Sequence, residues 1–364
     1  MITSPAYKRL NHIQALRGLA AMLVMLAHLY DAELKYSSDQ LLGPWTLYGN
    51  LGVDIFFMIS GFIMVHVTWQ KQRSLASAKD FLLARIGRIY PLYWVVSLAV
   101  LMVALIRPDM VFSSREIDPV LWKSFLLVPD LTSPLLLVGW TLIFEMYFYI
   151  IFTVFMLFGR RHLVPALGLW ALIILVGQVL GWRSHGPTAE VVFNPLTYEF
   201  IIGAALAIFI RKGSKPLSLL INPAGMRALG LVLIIAWLFP LFLLGILPES
   251  YVIRVGAFII PLTLTLLYAA IRDELDLKIW RPFISLGDWS YSLYLTHILS
   301  IAIIGRLWSS YVTDGLLDNI FAVMIMVVFS IVIAAVTYHV IERPALKVVR
   351  ILRKRQTPTT IYED

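Results

Sequence analysis

The chain has 364 residues, of which 60% are hydrophobic and 14% charged, with a formal net charge of +8 and no cysteine. Soluble domains carry about 25% charged residues, so this composition excludes an ordinary water-soluble globule. The lack of cysteine excludes thiolate catalysis, cysteine-ligated metal and disulfides, and leaves the redox compartment open.

A helical span needs about 20 apolar residues. Ten stretches qualify in chain order: 13–31, 48–69, 90–106, 134–158, 163–181, 194–210, 227–247, 252–271, 284–307 and 317–341. The N-terminus "MITSPAYKRLNHIQALRG" shows no small-residue cleavage site, so the first stretch reads as a retained span rather than a signal peptide. Segment 119–130, "PVLWKSFLLVPD", is too short to span and carries a lysine, which suits a surface or re-entrant helix. Cations gather in alternate loops, from Lys8 and Arg9 through Arg85 and Arg88 to Arg272 and Arg350. That alternation predicts an even number of spans with both termini in the cytoplasm, and explains the positive charge without nucleic acid. The predicted fold is all-α, a polytopic integral membrane protein, followed by a basic cytoplasmic tail over 346–364.

Ionisable residues inside spans are costly and are functional candidates by default. The set here is Arg17, His28, Asp54, His66, Glu145, Glu199, Arg254, His297 and His339. Arg17 and His28 are eleven residues apart, which brings them to nearly the same helix face with a rise of ~16 Å. A snorkelling arginine and an interfacial histidine are the plainer alternative. Asp54 in "GVDIFFMISGF" falls near the depth of His28, where a carboxylate would orient a neutral imidazole for general-base work or simply hydrogen-bond another helix. Glu145 in "GWTLIFEMYFYI" falls mid-span and needs a cationic or hydrogen-bonding partner. Arg85 and Arg88, at i and i+3, either anchor a helix at the inner surface or hold a phosphorylated ligand. In "LGDWSYSLYLTHILS", Ser290, Tyr294 and His297 recur at helical spacing; packing roles suit Ser290 and Tyr294, and His297 is a weaker catalytic candidate than His28. Glu342 and Arg343, before a proline, read as a fixed helix terminus. There is no nucleophile elbow, P-loop, zinc-protease or dinucleotide-binding signature, and nothing in the spacing of His28, Asp54 and His297 asks for a metal.

Together "LRGLAAMLVMLAH", "GVDIFFMISGF", "RIGRIYPLYW", "GWTLIFEMYFY", "NPLTYEFIIGAALA", "SLGDWSYSLYLTH" and "YHVIERP" resemble the membrane-bound acyltransferase-3 family, in its motif order and over nearly the whole chain. The opening is most similar to exopolysaccharide O-acetyltransferases of the xanthan and succinoglycan type. The resemblance implies a ten-helix acyltransferase unit over 1–345 in a bacterial inner membrane, taking acetyl groups from acetyl-CoA. The acceptor it implies is a sugar hydroxyl of an exopolysaccharide or of its lipid-linked repeat unit. Membrane lipid and other polysaccharide assembly proteins are the expected partners, with no nucleic acid and no metal. It matches Arg17, His28, Asp54, Arg85, Arg88 and Glu145 to the family's motif residues; Arg17, His28 and Asp54 are the candidate catalytic group, and Arg85, Arg88 and Tyr90 the candidate donor-binding residues. Glu145, Trp140, His297 and Ser290 support them. Some relatives carry a C-terminal SGNH esterase-like domain, which is not expected here. The competing reading is a transporter or flippase for lipid-linked sugars, against which stands the absence of paired, broken-helix halves.

Overall fold

The computed structural model describes residues 9–112, 117–212, 222–245, 247–312 and 315–356, and among them finds helices and no strand. Ten principal helices follow one another: α1 Asn11–Tyr36, α2 Leu51–Thr68, α3 Leu75–Ile106, α4 Gly139–Phe155, α5 Leu163–Val179, α6 Thr197–Arg211, α7 Pro223–Leu244, α8 Tyr251–Glu274, α9 Ser290–Trp308 and α10 Leu316–Thr337. Eight are long and apolar enough to cross a membrane. The other two expected spans are α4, with 17 residues, and α9, with 19 and a polar first turn. The protein is an all-α, multi-pass membrane protein.

Apolar residues recruit these helices, but buried polar contacts fix their ends. The first backbone N–H groups of a helix have no partner inside it. At the start of α1 the carboxylate of Asp273, from the end of α8, accepts from the backbone N–H of His12 (2.8 Å) and of Ile13 (3.1 Å) and meets the His12 ring at 3.0 Å. Ser74 caps α3 by accepting from the Ser77 N–H. That cap moves the start of α3 well ahead of residue 90, because Leu75–Arg88 forms good helix while lacking the hydropathy of a span. Arg85 and Arg88 therefore sit about three turns inside a helix rather than at its beginning.

The short helix Leu121–Leu126 occupies the apolar segment expected to be re-entrant or superficial. Its last carbonyls accept from α3: Tyr93 Oη to Ser124 (2.6 Å), Trp94 Nε1 to Phe125 (2.9 Å) and Tyr90 Oη to Leu126 (2.9 Å). Lys123, the residue that argued against a span, donates to Asp130 at 2.8 Å.

Helices α2 and α6 share the most extensive contact of the bundle. They approach so closely that a Cβ on Gly61 would overlap the Phe200 carbonyl, and one on Gly203 the Met58 carbonyl. Beside this crossing, Phe57, Phe144, Phe148, Trp170 and Phe200 interlock, with Phe148 and Phe200 centroids 4.6 Å apart.

The end of α10 departs from the expected terminus. Residues Tyr338–Glu342 form a π-turn, and the chain continues as the amphipathic helix α11, Arg343–Gln356. Pro344 has no N–H for the α-helical bond to the carbonyl four residues earlier, so the wider turn absorbs the break. Much of the expected basic tail is thus helix packed on α3, where Arg353 forks onto Asp80 with two bonds of 2.8 Å. Residues 357–364 of that tail lie outside the described residues.

Candidate active site

A cavity of about 260 Å³ opens between α1, α2, α3, α4 and α9. It contains Arg17 from α1, Arg85 and Arg88 from α3, and Glu145 from α4. The i, i+3 spacing on α3 explains why both of its arginines face the same space. Among the described residues none of the three guanidiniums is ion-paired. Arg17 donates to Gln14 Oε1 at 3.2 Å, and Gln14 in turn donates to Asp288, which Arg9 also grips. Arg85 lies over the rings of Phe81 (5.2 Å) and Tyr149 (5.5 Å).

The nearby carboxylates are engaged with hydroxyls instead. Glu145 Oε1 accepts from Tyr149 Oη and from Ser60 Oγ (3.3 Å). Glu342 Oε2 accepts from Ser292 Oγ at 2.6 Å. Both carboxylates add their field at Arg17 and Arg88 without taking over the guanidinium donors. Three cations facing two such anions leave a cavity with surplus positive charge and free fork-shaped donors, a setting suited to phosphate oxygens.

Sequence reasoning placed Arg17, Arg85, Arg88 and Glu145 in one site, and the fold brings them together. It missed Tyr149, one turn after Glu145 and therefore on the same face, and it read Glu342 only as a helix terminus. The sequence signal for Glu342 was a lone carboxylate at the end of an apolar stretch, immediately before an Arg-Pro step.

His28 is not part of this cavity's wall; it connects to it through His297 and the wall residue Tyr294. Its Nδ1 is 2.9 Å from the Val24 carbonyl. A carbonyl oxygen only accepts, so in the neutral ring Nδ1 carries the proton and Nε2 presents the lone pair. The ring stands edge-on to His297, with centroids 5.0 Å apart. His297 is held in the same manner by Leu293 O (3.0 Å), and its buried Nε2 has no hydrogen-bond partner. The carboxylate whose field reaches His28 is Asp31, one turn further along α1.

Asp54 is not the residue that orients His28. Both of its oxygens are taken by Arg254 of α8, from Nε at 3.0 Å and Nη2 at 2.5 Å. Glu199 from α6 borders this buried pair, and the Tyr251 ring lies 5.2 Å from the guanidinium. The bidentate fork satisfies a carboxylate better than one imidazole nitrogen could, so Asp54 locks α2 to α8 while the carbonyl of α1 sets the His28 tautomer. Tyr90 is likewise turned away from the cavity, toward the Leu126 carbonyl. Trp140 packs edge-on against Phe144 at 5.9 Å, and Ser290 is buried beside the cavity helices without a partner for its hydroxyl. Among the described residues no cluster of three or more His, Asp or Glu side chains is arranged to hold a metal ion.

The family described as an acyltransferase domain matches residues 10–339, which include every residue of this site except Glu342. The chain belongs to that acyltransferase family. The enzyme is 28% identical over 311 residues to the exopolysaccharide production protein ExoZ of Rhizobium meliloti (strain 1021), covering 82% of this chain and 90% of that one. It is 25% identical to the acyltransferase MdmB of Streptomyces mycarofaciens, over 98% of this chain and 96% of the relative. The peptidoglycan O-acetyltransferase OatA of Listeria monocytogenes is also 25% identical, over 93% of this chain but only 56% of the longer relative. No solved structure matches the chain. The protein is a membrane O-acyltransferase rather than a transporter.

Proposed function

We propose that the enzyme transfers an acetyl group from acetyl-CoA to a hydroxyl of a bacterial exopolysaccharide, or of its lipid-linked repeat unit, in the inner membrane. The observation that carries this reading is the pairing of three guanidiniums free of ion pairs, in one cavity, with a histidine of fixed tautomer joined to its wall through His297 and Tyr294. Relatives named for exopolysaccharide production and peptidoglycan O-acetylation support a polysaccharide acceptor.

Arg85 and Arg88, with Arg17 deeper, hold the phosphates of the donor, while its thin arm runs along α1 toward His28. The positive-inside pattern of the loop charges supports a cytoplasmic arginine-lined end, the side on which acetyl-CoA is found. His28 Nε2 accepts the proton of the sugar hydroxyl as that oxygen attacks the thioester carbonyl. The carbon–sulfur bond breaks, the acetyl ester forms, and the departing thiolate is protonated to give free CoA.

The test uses purified protein in nanodiscs, acetyl-CoA labelled in its acetyl group and a lipid-linked oligosaccharide. Label is expected in the saccharide with the unaltered enzyme. His28→Ala is expected to lower kcat about 10²–10⁴-fold with the donor KM unchanged. Unimpaired transfer by folded His28→Ala overturns the base assignment.

A further inference from the structure

Tyr294 borders the cavity on one side and meets His297 on the other, and Phe56 lies against Tyr294. Phe56 of α2 and Tyr294 of α9 both border the cavity, whereas His28 and His297 do not. The rings form a continuous row: Phe56 to Tyr294 at 5.7 Å, Tyr294 to His297 at 6.0 Å, and His297 to His28 at 5.0 Å. Tyr294 is a fixed post. It is buried, its Oη lies 2.7 Å from Thr141 Oγ1, and it donates a longer bond of 3.4 Å to the Val138 carbonyl. Phe56 has no polar anchor, is only partly buried, and packs against both hydrophobic clusters of the molecule, the main core and the smaller one around α1, α9 and α10. It is the member of the pair that can turn aside.

We infer that Phe56 and Tyr294 set the length of acyl group that the enzyme transfers. This rests on the donor reading above. A donor whose phosphates are held at Arg85 and Arg88 leads with its acyl group, which must enter the slot beside Tyr294 before the thioester carbonyl can reach the hydroxyl at His28. A methyl group asks only for a small turn of Phe56. Each added methylene must find room against a pinned tyrosine and a packed phenylalanine, and an ill-fitting methylene costs about 10–200-fold in kcat/KM. The partition also keeps the arginine-lined cavity out of open connection with the histidines, so water entering with the donor does not reach the activated carbonyl.

Two measurements test this. The first compares acetyl-, propionyl- and butyryl-CoA as donors. The unaltered enzyme is expected to fall steeply with chain length. Phe56→Ala, or Phe56→Leu if the alanine variant does not fold, is expected to raise the butyryl-to-acetyl ratio of kcat/KM tenfold or more. Ile63→Ala, which enlarges the same cavity two turns away on α2, should leave that ratio unchanged. The second measurement does not need the donor. Because the chain has no cysteine, single introduced cysteines report access cleanly. A small membrane-impermeant thiol reagent, applied from whichever side modifies Ser60→Cys in the cavity, is expected to spare His28→Cys and to modify it at least tenfold faster once Phe56→Ala is added. If His28→Cys reacts as fast as Ser60→Cys without that change, there is no partition and the inference is overturned. If transfer proceeds and Phe56→Ala leaves the chain-length profile unaltered, the inference falls while the donor reading stands. If no acyl-CoA supports transfer, the donor reading falls, and the length inference with it, whatever the thiol labelling shows.

Discussion

The molecule buries charge in two places and treats it in opposite ways. Between Asp54 and Arg254, acid and base meet directly, with both Asp54 oxygens forked by one buried guanidinium. Around Arg17, Arg85 and Arg88, the carboxylates of Glu145 and Glu342 are occupied by Tyr149, Ser60 and Ser292, and the guanidiniums face open space. Buried charge that is already paired ties helices together. Buried cations kept apart from available carboxylates are poised for an anion that comes and goes. Intramembrane charge by itself therefore marks importance, and only the pairing pattern separates a lock from a binding site.

The largest effect is expected from breaking the lock. Asp54→Ala leaves Arg254 buried without its partner, which costs about 3–5 kcal/mol. Thermal unfolding of the detergent-purified protein should show a large fall in midpoint or a loss of folded material. Replacing both partners with apolar residues, as in Asp54→Leu with Arg254→Met, should recover much of that loss. If Asp54→Ala instead unfolds normally and loses only catalysis, the two clusters do not differ in the way described.

The opposite signature is expected in the cavity. Arg88→Gln removes a charge-assisted contact to the donor worth about 1.5–3 kcal/mol, which raises the KM for acetyl-CoA roughly 10- to 150-fold. Because Arg88 is not ion-paired, its unfolding midpoint should stay within a degree or two of the unaltered protein. A fall in stability comparable to that of Asp54→Ala would show that the cavity arginines are structural.

A smaller loss is expected at the α2–α6 crossing, which holds Asp54 and Glu199 within reach of each other. Gly61→Ala forces its new methyl onto the Phe200 carbonyl, and overpacking of this kind costs about 1–3 kcal/mol. The readout is again the unfolding midpoint, with donor KM unchanged because the cavity lies on another face of α2.

How far the sequence could be read follows the same division. Span positions were legible because hydropathy is a property of each segment alone, and α1, α2, α5–α8 and α10 lie close to where that pattern puts them. The inner site was legible in part, because Arg85 and Arg88 sit at helical spacing on one helix; the spacing of Arg17 and His28 put them on one face of another, but only Arg17 lines the cavity. The lock was not. Asp54 and Arg254 are 200 residues apart, and a search by depth alone offers His28 and Arg254 equally as partners for the carboxylate. The helical continuation after Glu342 was hidden as well, because an Arg-Pro step ends a helix on local rules and only the π-turn lets this one go on.

Tyr90 gives the smallest and sharpest test of the comparison. Its place beside Arg85 and Arg88 in "RIGRIYPLYW" suggested a donor contact, yet it lies two residues beyond Arg88, and a step of two turns a side chain to another face of the helix. That face meets the end of the helix Leu121–Leu126, where Tyr90, Tyr93 and Trp94 each satisfy one carbonyl that the helix itself cannot. Tyr90→Phe keeps the ring and removes one hydrogen bond, a change worth about 0.5–1.5 kcal/mol. A small drop in unfolding midpoint with an unchanged KM for acetyl-CoA places Tyr90 with the locks of the fold. A tenfold rise in KM at unchanged stability would place it with the arginines, and the wall of the donor site would then have to extend around α3 to the carbonyl of Leu126.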